Sequence, residues 1–221
     1  MLAKQLIEED FLILAPDDTG ALALARMDEL KVNELPVVSG RKYLGLVSET
    51  DIFDSKDIDL RLAELFPNLP KHCVFENQHI LDVIRAMFVF KIRLIPIVDE
   101  SENYMGSVTA AKLLDKLAGI SAINDPGAIL ILETGSNDYV LSQISSIVES
   151  NDAKVLCMYV TAPPDSNRLE ITLKINKIDI QSVIQTLERY NYTIRATYSE
   201  DQAYFENLRE RYDSLMKYLN V

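Results

Sequence analysis

The apolar positions of the first half of the chain alternate between a helical period and short continuous runs. This order of elements occurs twice. In the second occurrence, residues 73–75 predict a strand and the residues after it predict a helix. Residues 94–98 and 104–109 predict two further strands, and residues 110–117 predict a short helix closed by Gly119. An earlier copy predicts the same elements at residues 11–14, 20–31, 35–38, 43–48 and 49–54.

These two copies are a sequence repeat. Residues 12–38 align without a gap on residues 72–98, which places Pro36 on Pro96 at predicted strand starts. After one extra residue in the second copy, Gly45 falls on Gly106. Such a unit, built twice, pairs with its copy because neither can bury its apolar face alone. The pairing also creates two pseudo-equivalent clefts in which a ligand can bind.

The second half of the chain predicts strand, helix, strand, strand, helix and strand. After a linker at residues 123–127, the predicted elements are residues 128–133, 139–150, 154–162, 168–176, 178–190 and 192–198. This βαββαβ order is that of the ferredoxin-like split βαβ arrangement. Residues 200–221 predict a helix whose apolar seam consists of Phe205, Leu208, Tyr212, Leu215 and Leu219. A seam of this length must dock on the partner subunit's copy, on the chain's own sheet or on a third protein, and we expect a homodimer.

The segments NELPVVSGRKYLGLVSETDIFD and IRLIPIVDESENYMGSVTAAKLLD resemble the CBS-domain repeat. The pattern of that repeat is a strand around a Leu-Pro-Val type core, a turn, and then Gly-apolar-Val-Ser/Thr-x-x-Asp opening a helix. The resemblance covers roughly residues 8 to 119 as a tandem pair, which is called a Bateman module. It implies an adenine-nucleotide-binding regulatory module that is usually dimeric and has no catalysis of its own.

This resemblance assigns roles to Ser48, Thr50 and Asp51, where a strand ends and a helix opens. It implies that a hydroxyl near the helix N-terminus meets phosphate and that the Asp51 carboxylate accepts both ribose hydroxyls. A helix N-terminus attracts anions, and a carboxylate can accept from a vicinal diol. The same spacing also fits a capping box that only stabilises the helix.

The second copy keeps the hydroxyl as Thr109 but has Lys112 at the position of the acid. We expect Lys112 to disable ribose recognition in the second cleft, which is then empty or offers Lys112 to a phosphate of the neighbouring site. Adenine would be recognised by backbone groups of two segments, the turn at residues 15–17 and the strand residues Leu35, Pro36 and Val37. These strand residues are also expected to belong to the core. Cations near the repeat turns and second helices can meet an anionic ligand or stay solvated; they are Arg41, Lys42, Lys91, Arg93 and Lys112.

The third segment, residues 128 to about 198, resembles an ACT domain, a small amino-acid-sensing module. A CBS pair followed by an ACT domain is similar to the acetoin-utilisation accessory protein family. Tyr139 stands near the position where that family has a glycine at the first helix start, although Gly135 can partly substitute. The expected architecture is therefore mixed α+β and α/β, with CBS repeats at residues 1–60 and 61–122, an ACT-like domain at 123–199 and a helix at 200–221.

The composition excludes several classes of protein. A hydrophobic content of 48% and a charged content of 25% are ordinary for a globular protein, and the net charge of −12 disfavours nucleic acid as a partner. No apolar run approaches the about 20 residues of a membrane span, and residues 1–10 are too acidic for a secretory signal. We therefore expect a cytoplasmic protein without a membrane partner, with Cys73 and Cys157 as buried thiols.

The sequence contains none of the enzyme motifs for a nucleophile elbow, a P-loop or a dinucleotide fold. His72 and His79 are expected at the surface or as caps, and no metal site is predicted. We therefore predict a non-catalytic regulatory protein without a required cofactor, acting on an unidentified regulated protein. Its ligand would be AMP, ADP, ATP or S-adenosylmethionine. The alternatives are a ligand-free dimerisation scaffold and amino-acid sensing through the ACT-like domain.

Overall fold

The computed structural model describes residues 1–7, 13–55, 57–163 and 167–199. The chain divides into two compact units, Met1–Lys116 and Leu117–Val221. The predicted C-terminal helix and its apolar seam lie outside the described residues. Among the helices that are described, none is long and apolar enough to cross a membrane.

The first unit contains the predicted order of elements in full in the second copy, and from the first helix onward in the first copy. A short 3-10 turn at Ala3–Gln5 precedes the first copy. The helices and strands are α1 (Gly20–Leu30), β1 (Glu34–Ser39), β2 (Lys42–Ser48), α2 (Glu49–Phe53), α3 (Leu62–Leu65), β3 (Val74–Phe75), α4 (Ile80–Phe90), β4 (Leu94–Val98), β5 (Tyr104–Thr109) and α5 (Ala110–Ile120). In each copy the second and third strands form an antiparallel pair, β1 with β2 and β4 with β5. Of the strand predicted at residues 11–14, residues 11 and 12 lie outside the described ranges, and Leu14 forms a parallel bridge with Val37.

One local prediction in this unit was wrong. Helix α5 does not stop before Gly119 but continues to Ile120, and the left-handed residue after it is Ala122, with φ of 52°. Pro36 and Pro96 are each the third residue of a strand, near the predicted strand starts. Pro36 is tolerated because its carbonyl accepts from the Leu14 N–H (2.9 Å), so its ring nitrogen also faces away from β2. The β1–β2 ladder therefore loses no donor.

The segments that precede the two repeats are exchanged between them. Residues 1–7 bond to the loop and helix start of the second repeat, and residues 58–63 bond to the equivalent part of the first. The Ile80 N–H donates to the Met1 carbonyl (3.0 Å), and the Gly20 N–H donates to the Leu60 carbonyl in the same way (3.3 Å). In the reverse direction, the Ala3 N–H donates to the Gln78 carbonyl and the Leu62 N–H donates to the Asp18 carbonyl (2.8 Å each). The two repeats are thus related by an internal pseudo-twofold symmetry, and each one completes the other's core.

Two glycines make room for the exchanged segments. A Cβ atom on Gly45 would lie 2.3 Å from Cβ of Leu69, and one on Gly106 would lie 2.3 Å from Cγ2 of Ile7. Both distances are shorter than any side chain allows. The repeated glycine therefore marks the place where a bare backbone meets the segment from the other repeat.

The turns of the two repeats also bond to each other around this symmetry axis. The Tyr43 N–H donates to the Glu102 carbonyl (3.1 Å), and the Tyr104 N–H donates to the Arg41 carbonyl (2.7 Å). Tyr43 is buried beside Val98 in a small apolar cluster under these turns. The two β-hairpins are therefore joined by backbone hydrogen bonds and by a shared core.

A buried carboxylate provides a further link between the repeats. Glu34 begins β1 and is only 5% exposed. Its Oε1 accepts hydrogen bonds from the backbone N–H groups of Arg93 and Leu94 (2.9 Å for Leu94), where β4 begins. A charged acceptor satisfies two amides that would otherwise lack a partner. Glu34 therefore fixes the first strand pair against the second.

The second unit is a four-stranded antiparallel sheet with two helices on one face. Its elements are β6 (Ala128–Gly135), α6 (Leu141–Ser150), β7 (Val155–Thr161), β8 (Arg168–Ile175), α7 (Gln181–Arg189) and β9 (Thr193–Ser199). The strand order is β7-β8-β6-β9, which is compatible with the predicted ferredoxin-like arrangement. Buried residues of β6, β8 and both helices form one core. The helices begin two and three residues later than predicted, because Tyr139 and Ile178 belong to the preceding turns.

We expect Gly45→Ala to lower the free energy of unfolding by about 1–3 kcal/mol, because the new methyl group must displace Leu69. Gly119→Ala is the control, since nothing lies within 4 Å of that position inside α5. It should raise stability by about 0.5–1 kcal/mol. Urea unfolding at a fixed protein concentration measures both. Equal effects of the two substitutions would contradict the close approach.

We expect Glu34→Ala to cost about 1.5–3 kcal/mol, because it leaves the buried amide of Leu94 without an acceptor. Glu34→Gln should cost less, since its amide oxygen can still accept. The exposed Glu100→Ala is the control and should change stability by less than about 0.5 kcal/mol. Chemical denaturation measures the three variants. If Glu34→Ala behaved like Glu100→Ala, the proposed link between the repeats would be wrong.

Candidate functional site

A cleft of about 390 Å³ lies between the two repeats of the first unit. One wall consists of residues from the end of α1 to the start of α2, and the other consists of residues from the segments flanking β3 and α4. The lining residues are Asn33, Glu34, Leu46, Ser48, Glu49, Thr50 and Asp51 on the first wall, and Pro70, His72, Phe90, Lys91 and Ile92 on the second. The cleft therefore brings Ser48, Thr50 and Asp51 together, as the sequence predicts.

The turn from β2 to α2 is a complete capping box. Ser48 Oγ accepts from the Asp51 N–H (3.1 Å), and the Ser48 N–H donates to Asp51 Oδ2 (3.1 Å). Ser48 Oγ also lies 2.5 Å from Asp51 Oδ2 and 2.9 Å from Thr50 Oγ1. The capping role that the sequence left open is thus present. Both bonds to the Asp51 carboxylate fall on Oδ2, so among the described residues Oδ1 is the carboxylate oxygen left for a further donor.

An aromatic pair forms part of the opposite wall. The rings of His72 and Phe90 stack with their centroids 4.2 Å apart and their planes 15° apart. The His72 carbonyl accepts from the hydroxyl of Tyr43 (2.9 Å), whose pKa is raised by burial, so the hydroxyl stays protonated as a donor. Sequence reasoning missed this pair because the two residues are far apart along the chain. His79, in contrast, caps α4 by accepting from the Leu81 N–H (3.4 Å).

The charged residues in this cleft are mostly acidic. Glu34, Glu49 and Asp51 line it, together with Lys91 at the left-handed end of α4. Glu49 is held in place by Asn33, whose Nδ2 donates to Glu49 Oε2 (2.9 Å).

Other predicted cations are not brought to the cleft. Lys42 is paired with Glu102 (3.3 Å), which also pairs with Lys71 (3.0 Å). Hydrogen bonds from Lys71 and Lys42 lower the pKa of the Glu102 carboxyl. Arg93 contributes its backbone N–H to Glu34, and Arg41 contributes its carbonyl to Tyr104.

The predicted adenine strand does not line the cleft. Leu35, Pro36 and Val37 are all buried in β1 and pair with β2. The carbonyl of Pro36 already accepts from Leu14, so it is not available to a ligand in this arrangement. The side chain of Val37 instead lines a separate hollow of about 210 Å³ beside Pro16.

The counterpart cleft of the second repeat is described only in part. Its capping hydroxyl is present, because Thr109 Oγ1 accepts from the Lys112 N–H (3.2 Å), as the sequence predicts. Leu12, which aligns with His72, lies outside the described residues. The structure therefore places Lys112 at the start of α5 but leaves the wall opposite it undescribed.

The two cysteines are free and only half-buried, rather than fully buried as predicted. Burial is the main cause that raises the pKa of the Cys73 thiol. Within the described ranges, no group of three or more His, Cys, Asp or Glu residues is arranged to hold a metal ion.

The second unit has a cleft of its own, of about 600 Å³. It lies where β6 ends, and Gly135, Asp138 and Gln143 are among its lining residues. Gln143 accepts from the Tyr192 hydroxyl (2.9 Å). Tyr139, which the sequence analysis placed at the ligand position, packs against the core instead and does not line the cleft.

Comparison with known proteins gives a family match and several more distant relatives. The profile of the CBS domain family matches residues 3–57 and 63–119, half of the chain. Inosine-5'-monophosphate dehydrogenase of Methanocaldococcus jannaschii is 20% identical over 149 residues, which are 67% of this chain but 30% of that protein. The chain therefore spans less than a third of the length of this relative.

Two solved structures resemble part of the chain. A CBS domain pair/ACT domain protein from Thermotoga maritima is 25% identical, with a TM-score of 0.48, over 54% of this chain and 98% of the other. The protein CBSX2, solved in complex with AMP, is 21% identical, with a TM-score of 0.47, over 54% of this chain and 97% of the other.

Proposed function

The chain belongs to the CBS-domain family, and from this premise we propose that it is a non-catalytic regulatory protein that binds an adenosine-containing ligand between its repeats. The observation that carries the proposal is the cleft in which the Ser48–Asp51 turn of one repeat faces the His72–Phe90 stack of the other. Its volume of about 390 Å³ is within the usual range for small-molecule sites.

The chemistry of the two walls suits a nucleoside. A carboxylate oxygen can accept from the vicinal hydroxyls of ribose, and Asp51 Oδ1 is the candidate acceptor. A flat aromatic surface favours stacking with a purine, and His72 with Phe90 provides one. Ser48 and Thr50 are further polar contacts at the same turn.

Signalling would follow from the position of the cleft. Because its walls come from both repeats, a ligand there bridges the two repeats, and signalling requires that their relative position differs between two states. Such a ligand shifts a conformational equilibrium only through its different affinity for the two states. Glu34 lines the cleft and also bonds to the start of β4, so it connects the ligand site with the contact between the repeats.

We further propose that the second unit is an ACT-like domain. The element order βαββαβ and the sheet order β7-β8-β6-β9 support this assignment. Its cleft of about 600 Å³, with the backbone of Gly135 in its wall, favours amino-acid sensing as a second candidate function. A thermal-shift screen of the twenty amino acids and the adenosine compounds tests this second function. A ligand that binds the native state should raise the melting temperature of the protein.

A ligand test separates the two roles of Asp51. Asp51→Ala should weaken the binding of the adenosine ligand by roughly ten- to hundredfold, as expected for a lost hydrogen bond to a charged group. Asp82→Ala is the matched control, because Asp82 Oδ2 accepts from the His79 N–H (3.0 Å) in an equivalent capping box outside the cleft. Both variants should lose about 0.3–1.5 kcal/mol of stability.

Calorimetry with AMP, ADP, ATP and S-adenosylmethionine measures the affinities, and thermal unfolding without ligand measures the stabilities. If Asp51→Ala and Asp82→Ala bound ligand equally well, Asp51 would be a cap only. If no adenosine compound bound the unsubstituted protein, the scaffold alternative would replace the sensor.

We also propose that the protein is a homodimer through the first unit. Helix α4 exposes apolar side chains on its outer face, with Leu81 63% and Phe88 82% exposed. An exposed apolar face of this kind usually marks an interface. Replacing Leu81 and Phe88 together by Asp should therefore yield a monomer in light scattering at micromolar concentration. Phe75→Asp, at a 42% exposed position on β3, is the control and should remain dimeric. A monomeric unsubstituted protein would contradict the proposal.

A further inference from the structure

The charge of the cleft between the repeats restricts the ligand that it can hold. Three carboxylates line it, those of Glu34, Glu49 and Asp51, against the single ammonium group of Lys91. Glu34 is buried and Glu49 is half-buried, so the field of these two groups is screened less than that of exposed charges, whereas Asp51 is exposed. At neutral pH the lining therefore carries an excess of negative charge.

This arrangement is a poor match for a polyphosphate. Phosphate sites are usually formed by Arg, Lys or free backbone N–H groups. Here the first turn of α2 contains Glu49 and Asp51, and the Asp51 N–H is already bonded to Ser48 Oγ. Neither Arg93 nor Lys112 lines the cleft. A triphosphate would thus meet three carboxylates with Lys91 as the one cation among the described lining residues.

The same charges favour a ligand of the opposite sign. Glu49 precedes Asp51 by two residues in the same turn, and Asn33 holds its carboxylate in place. If Asp51 accepts from the ribose, then Glu49, the acid closest to Asp51 along the chain, is the candidate to face a charged group attached to that ribose. A fixed positive charge there would be stabilised by Coulomb attraction, which grows as the distance between the charges falls.

We propose that this cleft selects an adenosyl compound that carries a positive charge, as an adenosyl sulfonium does, over adenine polyphosphates. The proposal rests on the proposed function, because it presumes that an adenosine moiety occupies the cleft. It adds the charge of the ligand and names Glu49 as the residue that determines this selectivity.

The test compares ligands that differ in charge. Calorimetry of the full chain should find that S-adenosylmethionine binds at least tenfold more tightly than S-adenosylhomocysteine, which has a neutral sulfur, and than ATP with or without Mg²⁺. The ratio between the two sulfur compounds should shrink as the salt concentration rises, because salt screens the attraction. ATP or its Mg²⁺ complex binding as tightly as S-adenosylmethionine would overturn the selectivity.

Variants assign the effect to residues. Glu49→Gln keeps the size of the side chain and should reduce the preference for S-adenosylmethionine over S-adenosylhomocysteine at least fivefold. Asp54→Asn is the matched control, since Asp54 ends the same helix but does not line the cleft, and it should leave the preference unchanged. Lys91→Met should weaken AMP without weakening S-adenosylmethionine.

The outcomes also separate this proposal from the one on which it rests. Adenosine compounds that bind regardless of charge, with Glu49→Gln unchanged, would leave the sensor function standing and overturn only the selectivity. Failure of every adenosine compound to bind would overturn both. A charge preference that is equally lost in Asp54→Asn would assign it to the general field of the protein, and Glu49 would be wrong as its source.

Discussion

The buried carboxylate of Glu34 is the interaction on which the first unit depends most. It lies at the start of β1 and accepts from the backbone N–H groups with which β4 begins. In the alignment of the repeats its counterpart is Leu94, so the acid binds the amide of its own symmetry partner. One such bond cannot be repeated by symmetry, and it therefore fixes one relative position of the two repeats. The cleft beside Glu34 takes its width from that position.

Around this link, the exchange of segments makes the two repeats inseparable. Residues 1–7 and residues 58–63 each pack on the repeat to which they do not belong in sequence, and Gly45 and Gly106 leave the space for their neighbours. The symmetry of these contacts relates the described cleft to a counterpart in the second repeat, of which the structure describes only one wall. Asp51 aligns with Lys112, so the same backbone position has an acidic side chain in one repeat and a basic side chain in the other. This difference underlies the expectation that one cleft dominates binding.

The cleft that is described combines polar capping, aromatic stacking and excess negative charge. Asp51 serves the capping box through Oδ2, and among the described residues this leaves Oδ1 for another donor. A residue in a capping box is well positioned because its own backbone holds it. The stability of the helix and the preorganisation of the site therefore have the same cause, and loss of one entails partial loss of the other.

The sequence by itself determined the repeat, the order of its elements and the caps at Ser48 and Thr109, because these depend on local periodicity and on residue spacing. Its resemblance to the CBS-domain repeat implied the tandem CBS fold. It also placed Ser48 and Asp51 on one turn, since they are close along the chain. Only the tertiary structure decided the exchange of segments, the role of Glu34 and the stacking of His72 on Phe90. These contacts join residues that are far apart in sequence, and no local pattern records them. Leu35 to Val37 are buried in β1 and are not among the lining residues of the cleft between the repeats. Strand pairing, which is not local, engages this segment.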